Sequence, residues 1–94
     1  MSVARITTLN FKSKEGADEI EETYKNNAPT EFSEAEQLLE VRVSDTTLMF
    51  VSLYADNDAM ERASAARTKR MDLNKDLIES MDGKTGEVIL NHSN

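Results

Sequence analysis

The first stretch of mixed apolar and polar residues, Val3–Phe11, predicts a strand. The stretch is rich in β-branched residues, which favour strands. Side chains of a strand point alternately to its two faces, so Leu9 and Phe11 share one face while Ile6 and Asn10 share the other.

A helical pattern follows the first strand. Ala17, Ile20 and Tyr24 recur at helical spacing and predict a narrow apolar stripe that faces a core. Ser13 is suited to cap the start of this helix. Pro29 is expected to end it, because proline cannot continue the hydrogen-bonding pattern of a helix.

The middle of the chain predicts a hairpin. Apolar and polar residues partly alternate over 34–43, which indicates a strand. The SDTT sequence at 44–47 indicates a turn, and the residues at 48–55 indicate a second strand. Near the end of the sequence two glycines suggest another turn, followed by a closing strand over 87–91.

Between the hairpin and the closing strand lies an alanine-rich and arginine-rich helix. It is expected to begin at Asp56 or Asn57 and to continue through Ile78 or beyond. At 100° per residue one arc collects six residues that predict the face turned to the sheet: Ala59, Ala63, Ala66, Leu73, Leu77 and Met81.

The element order is therefore β-α-β-β-α-β within residues 1–94, which is short enough to be one domain. This order predicts an α+β ferredoxin-like fold, in which two helices lie on one face of an antiparallel sheet.

The strand at 48–55 is apolar on both faces, and this predicts a homodimer. Helices would cover only one of its faces, and the other would form an apolar patch that needs cover. A second copy packing sheet to sheet would provide that cover. The alternative is a monomer whose bare face binds a ligand or another protein. Alternate residues form the two faces: Leu48, Phe50 and Tyr54, against Met49, Val51 and Leu53.

Two arginines fall inside the sheet-facing arc of the second helix. Arg70 lies near its centre, and Arg67 lies within it. In one interpretation Arg70 pairs with a sheet carboxylate such as Glu40 or Glu36, since an inward arginine is costly without a partner. In the other interpretation helix and sheet enclose a pocket, where both arginines donate hydrogen bonds to an anionic or carbonyl ligand.

Composition excludes several functions. The net charge is −7, with 18 acidic and 11 basic residues, which disfavours nucleic acid and anionic membranes as partners. The chain contains no cysteine, so it has no disulfide and no thiolate site, in keeping with a reducing compartment such as the cytoplasm. His92 is the only histidine, and a lone histidine near the end of the sequence predicts neither a metal site nor a catalytic base.

The junction VSLYADNDAMERA at 51–63 resembles the antibiotic biosynthesis monooxygenase-like family of the dimeric α/β-barrel superfamily. The resemblance is carried by Tyr54 at the strand end, Asp56 at the helix cap, and then Ala59 and Met60. It implies a ferredoxin-like monomer whose sheet pairs with a second subunit.

The resemblance also bears on activity. The family includes cofactor-independent oxygenases, haem-degrading enzymes and members without an established role. Asn10 matches the first-strand asparagine of the haem degraders, but residues 56–81 hold neither the histidine nor the aromatic residue that haem degradation needs. The resemblance therefore implies a cofactor-independent monooxygenase or ligand-binding protein, with no cofactor and no metal expected.

The expected pocket lies between sheet and helices and takes a small organic ligand. Its candidate lining residues are Asn10, Tyr54, Arg67 and Arg70. The alternative function is that of a non-catalytic homodimeric binding or regulatory module.

Overall fold

The computed structural model describes residues 1–94 and contains four strands and two helices. Neighbouring strands are all antiparallel, and their order in the sheet is β2-β3-β1-β4. This arrangement confirms the ferredoxin-like fold expected from the sequence. In chain order the elements are β1 (Val3–Phe11), α1 (Lys14–Glu31), β2 (Gln37–Ser44), β3 (Thr47–Tyr54), α2 (Asn57–Asn74), a 3₁₀ turn (Lys75–Leu77) and β4 (Ile78–Glu87).

Both helices start at side-chain caps. The Ser13 hydroxyl accepts a hydrogen bond from the Gly16 backbone N–H at 3.1 Å, and Asp56 accepts one from the Ala59 N–H at 2.8 Å. Each cap satisfies a backbone donor that the helix itself cannot pair and is worth about 1 kcal/mol. The cap expected at Ser13 is confirmed, and Asp56 rather than Asn57 caps α2.

The expectation that Pro29 ends the first helix was wrong. Pro29 lies inside α1, which continues to Glu31. The last turn holds because Ala28 and Phe32 are both buried, and the Phe32 N–H donates to the Ala28 carbonyl at 2.8 Å. Packing of this turn outweighs the hydrogen bond that proline cannot make.

The predicted end of the second helix and the predicted closing strand were also wrong. Helix α2 stops at Asn74, and β4 occupies Ile78–Glu87 instead of 87–91. Leu73, expected to face the sheet, is 75% exposed, and Met81 belongs to β4. The two glycines expected to form a turn, Gly83 and Gly86, lie within the extended strand β4 instead. β4 is an edge strand, where glycine is tolerated and side chains need not alternate between buried and exposed positions.

The hydrophobic core lies between the helices and one face of the sheet, which we call the covered face. Leu9 of β1 stands opposite Leu48 of β3 on this face. Tyr24 of α1 packs edge-on against Phe50 of β3, with ring centroids 4.6 Å apart. Such aromatic pairs add about 1 kcal/mol beyond the area that they bury.

The opposite side of the sheet, which we call the open face, is apolar and has no helix over it. Ile6, Val51 and Leu39 are cross-strand neighbours in the pairing of β1, β3 and β2. Ile6, Leu39, Val41 and Val43 are each 41–55% exposed. The two-faced apolar character expected of β3 is therefore present in the fold. Neither helix is long and apolar enough to traverse a bilayer.

Candidate ligand cavity

The second half of helix α2 roofs a cavity above the covered face. Buried residues of α2 occur only in its first half, where Ala59, Met60 and Ala63 lie close to the sheet. Small alanine side chains permit this close approach. Beyond Ala63 the helix presents longer and more polar side chains, and space remains between it and the sheet.

The cavity has an interior of about 50 Å³, and about 580 Å³ is free of atoms when its mouth is counted. The second figure includes open solvent at the mouth, so the enclosed interior alone has room for only a small group. Fourteen residues from both helices and three strands line it: Arg5, Thr7, Leu9, Ile20, Tyr24, Phe32, Phe50, Ser52, Tyr54, Arg67, Arg70, Met71, Asn74 and Ile78.

The register of the central strands gives the cavity a polar end and an apolar end. Arg5 stands opposite Ser52, and two residues further along β1, Thr7 stands opposite Phe50. Leu9 continues this face and is buried. Polarity therefore falls along the floor of the cavity from Arg5 towards Leu9.

Arg70 is held by α1 rather than by the sheet. Its guanidinium donates to the Glu31 carboxylate at 2.7 and 3.1 Å and lies 5.5 Å from the centre of the Tyr24 ring. The predicted pairing with Glu40 or Glu36 was wrong, because Glu31 in the last turn of α1 is the carboxylate that α2 faces. The side chain of Arg70 is 12% exposed, and it both makes this ion pair and lines the cavity.

Arg67 reaches over the other side of the cavity, above β1 and β4. Its Nη2 lies 3.4 Å from the Thr7 hydroxyl oxygen and 3.8 Å from the Met81 sulfur, both of which are weak contacts. It forms no ion pair. Burial, followed by the nearby charge of Arg5, lowers the pKa of the Arg67 guanidinium below its ordinary value. The group remains protonated at neutral pH.

Arg5 is the lining residue that the sequence analysis missed. Its Nη2 donates to the Ser64 hydroxyl at 3.2 Å, and it makes no ion pair. The signal was visible, since Arg5 falls on the same strand face as the core residues Leu9 and Phe11. A charge at an inward strand position is rare without a partner.

Of the other two predicted site residues, one lines the cavity and the other does not. Tyr54 lines the cavity and is 1% exposed. Asn10 does not line the cavity, contrary to prediction, because its even position in β1 places it on the open face. There it donates to Ser80 at 3.0 Å and accepts from Thr47 at 2.7 Å.

A buried carboxylate lies on the covered face outside the cavity. Both oxygens of Glu40 on β2 are shielded from solvent and have no hydrogen-bond partner. Burial, with the charge of Glu21 adding to it, raises the pKa of Glu40 to about 7. Close to neutral pH this group therefore shifts between its neutral and charged forms.

Comparison with known proteins supports the fold and says less about activity. No protein-family model matches the chain, and no curated protein does either. Its structural neighbours include antibiotic biosynthesis monooxygenase-like proteins as well as a protein of unknown function from Nitrosomonas europaea. One is a point variant of SnoaB, a cofactor-independent oxygenase from Streptomyces nogalater, with 16% identity, a TM-score of 0.72, and coverage of 96% of this chain and 95% of SnoaB.

Two further solved structures are similar over nearly their whole length. A dimeric ferredoxin-like protein from an uncultured marine organism has 9% identity, a TM-score of 0.79, and coverage of 99% of this chain and 92% of its own. A Caulobacter crescentus protein, provisionally named an antibiotic biosynthesis monooxygenase, has 13% identity, a TM-score of 0.77 and coverage of 95% and 91%. Identities this low establish a shared fold and leave the activity of this chain to be argued from its own residues.

Proposed function

We propose that this protein is a homodimer that binds a small organic molecule in the cavity beneath α2. The observation that carries the proposal is the cavity itself, a concavity lined largely by apolar side chains with a few polar groups among them. Ligand sites are typically apolar concavities in which a small number of polar groups fix orientation.

Binding is tested by filling the cavity. Ser52→Leu places a larger side chain on its floor, whereas Thr68→Leu makes the same kind of change on the exposed side of α2. In a thermal-shift screen of small aromatic acids and alcohols, ligands should raise the Tm of the parent protein and of Thr68→Leu. They should not raise the Tm of Ser52→Leu. Equal shifts in all three proteins would place binding elsewhere.

The reaction proposed for this site is cofactor-independent oxygenation, and its support is the fold shared with SnoaB. The competing function is binding without chemistry, and one observation favours it. The cavity lining contains no histidine, aspartate or glutamate, the side chains that most often act as general bases. An oxygen electrode separates the two functions with phenol and 1-naphthol as probes. Protein-dependent oxygen uptake that Ser52→Leu abolishes would favour the oxygenase, and binding without uptake would favour the non-catalytic module.

The dimer proposed here forms through the open face. A patch of this kind on an isolated domain is a typical interaction surface, and the dimeric state of the ferredoxin-like structural neighbour supports a dimer without indicating its face. Val41→Glu should shift the molecular mass measured by light scattering from dimer to monomer, because burying an unpaired carboxylate is costly. Thr68→Glu, on an exposed helix surface, should remain dimeric. A parent protein that is monomeric at micromolar concentration would rule the arrangement out.

A further inference from the structure

The five arginines of the chain divide into two groups. Arg42, Arg62 and Arg70 each form ion pairs with nearby carboxylates. Arg5 and Arg67 form none, although both line the cavity. A guanidinium withdrawn from water without a counter-charge loses hydration that nothing in the chain replaces. The cavity therefore holds two positive charges that the folded chain leaves uncompensated.

Arg5 and the contact point of Arg67 occupy successive positions on the covered face of β1. Arg67 contacts Thr7, which is two residues from Arg5 on the same strand face, a separation of about 7 Å along a strand. Each guanidinium carries five N–H donors. The described contacts, at 3.2 Å or longer, use few of them. Most of these donors are consequently free to bind an acceptor in the cavity.

Gly83 makes room for the guanidinium of Arg67. A methyl group at this position of β4 would lie 3.3 Å from Arg67 Nη2, so the guanidinium would have to shift by a few tenths of an ångström. Gly83 pairs directly with Thr7 across the two strands. The edge strand thus leaves a gap at the point where Arg67 approaches the polar end of the cavity.

Away from Arg5 the cavity is lined mainly by apolar side chains, together with Arg70, whose charge is paired with Glu31. Leu9, Ile20 and Phe50 lie there, with Ile78 and Met71 also in the lining. These side chains offer a surface for a ring or a short hydrocarbon body, and they offer no group that would bind a second charge. No acidic residue in the lining competes for the two arginines.

We propose that the cavity is selective for a monoanionic organic molecule, with its oxyanion at Arg5 and Arg67 and a one-ring apolar body against Leu9, Ile20 and Phe50. The inference rests on the proposed function, since it assigns the ligand class of the same cavity. Charge-assisted hydrogen bonds from paired guanidinium groups are among the strongest that a protein offers to a carboxylate or an ionised phenol.

The test compares an acid with an alcohol of matched shape. Fluorine NMR titrations with 4-fluorobenzoate and 4-fluorobenzyl alcohol should show that the parent protein binds the acid about tenfold more tightly, which corresponds to about 1.4 kcal/mol. Arg67→Met and Arg5→Met should reduce this preference to within about twofold while alcohol binding persists. Arg62→Met removes an exposed arginine paired with Glu34 and should keep the preference intact.

A further variant perturbs the site without deleting a charge. Gly83→Ala should crowd the Arg67 guanidinium and weaken acid binding several-fold, with little effect on the alcohol. This variant keeps the test decisive even if an arginine variant fails to fold, which circular dichroism would reveal.

Three results would overturn the inference. Equal affinity of the parent protein for acid and alcohol would remove the charge selectivity but leave the cavity as a ligand site. An undiminished acid preference in Arg5→Met, Arg67→Met and Gly83→Ala would place the oxyanion elsewhere. Failure of both probes to bind at millimolar concentration would count against the ligand class and the proposed function together.

Discussion

Helices α1 and α2 are both 18 residues long, yet they cover the sheet in different ways. Helix α1 places buried residues along its whole length, from Gly16 to Ala28, and so packs on the sheet throughout. Helix α2 buries residues only from Ala59 to Ala63, and beyond them Arg67 contacts β1 while Arg70 pairs with Glu31 of α1. One helix completes the core, and the other is part core and part roof of a cavity. Equal helix length therefore does not mean equal contribution to stability.

The largest expected contrast lies between matched truncations on the two helices. Ile20→Ala on α1 should lower the free energy of unfolding by about 2–4 kcal/mol, because Ile20 is only 3% exposed. Met71→Ala on α2 should cost about 1 kcal/mol or less, since the side chain is partly exposed and borders empty space. Urea denaturation at constant m-value measures both. Similar losses for the two variants would show that α2 packs as tightly as α1.

A second contrast lies within α2 itself. Ala63→Leu should destabilise by about 1–3 kcal/mol, because the added atoms overfill a close contact with the sheet. Asn74→Leu, at the cavity, should change stability by less than about 1 kcal/mol, as space is available for the new side chain. The same urea experiment applies. If the Asn74 substitution is the more damaging of the two, the cavity is not the open space described here.

The two cavity arginines on α2 should also respond in opposite ways. Arg70→Met removes an ion pair and a contact with the Tyr24 ring, and it should lower stability by about 1 kcal/mol. Arg67→Met removes a charge that has no partner and should leave stability unchanged or raise it by a few tenths of a kcal/mol. Thermal melts of both variants at neutral pH would suffice. A clear loss of stability in Arg67→Met would mean that the chain already compensates this charge.

The smallest expected effect is on the pH dependence of folding stability, to which the unpaired carboxylate of Glu40 contributes. Its pKa in the folded protein, about 7, exceeds the ordinary value of 4.5, so the folded state binds the proton more tightly. This contribution to stability is complete below pH 4.5 and is lost as the pH rises through 7. Glu40→Gln should therefore matter little at pH 4.5 and stabilise at pH 8, by on the order of 1 kcal/mol after allowance for solvent screening.

The comparison with Glu36→Gln provides the control for Glu40, because Glu36 lies just outside β2 and is exposed. Its effect should not change between the two pH values. A Glu40→Gln effect that is the same at pH 4.5 and pH 8 would contradict the burial of the Glu40 carboxylate.

Central elements of the fold were predictable from the sequence, and the edge was not. Strands β1 and β3 lie in the middle of the sheet, where burial imposes a clear pattern on their residues. Strand β4 is an exposed edge, and only Ile78 among its residues is partly buried. Leu77 and Met81 continue the near-helical spacing of Leu73, and this extended the predicted helix into the strand. Periodicity identifies an element only where one of its faces is buried.

The candidate site, like the fold, was predictable from the sequence only in part. Tyr54, Arg67 and Arg70 were predicted from their positions at a strand end and on the inner arc of a helix, and all three line the cavity. The ion-pair partner of Arg70 could not be deduced, because the spacing that brings Glu31 to α2 is set by tertiary packing. Asn10 was placed on the wrong side, although its even position in β1 already assigned it to the face away from the core residues.

Methyl NMR on the four isoleucines provides the most direct test of the central claim, that the space beneath α2 is a ligand site. Ile20 and Ile78 line the cavity, Ile6 lies on the open face, and Ile89 follows β4 and is 94% exposed. In a titration of isoleucine-labelled protein with 4-fluorobenzoate, the Ile20 and Ile78 signals should shift and saturate together while those of Ile6 and Ile89 stay in place. Saturable shifts confined to Ile6 or Ile89, or no shift at Ile20 and Ile78 at millimolar probe, would contradict the account.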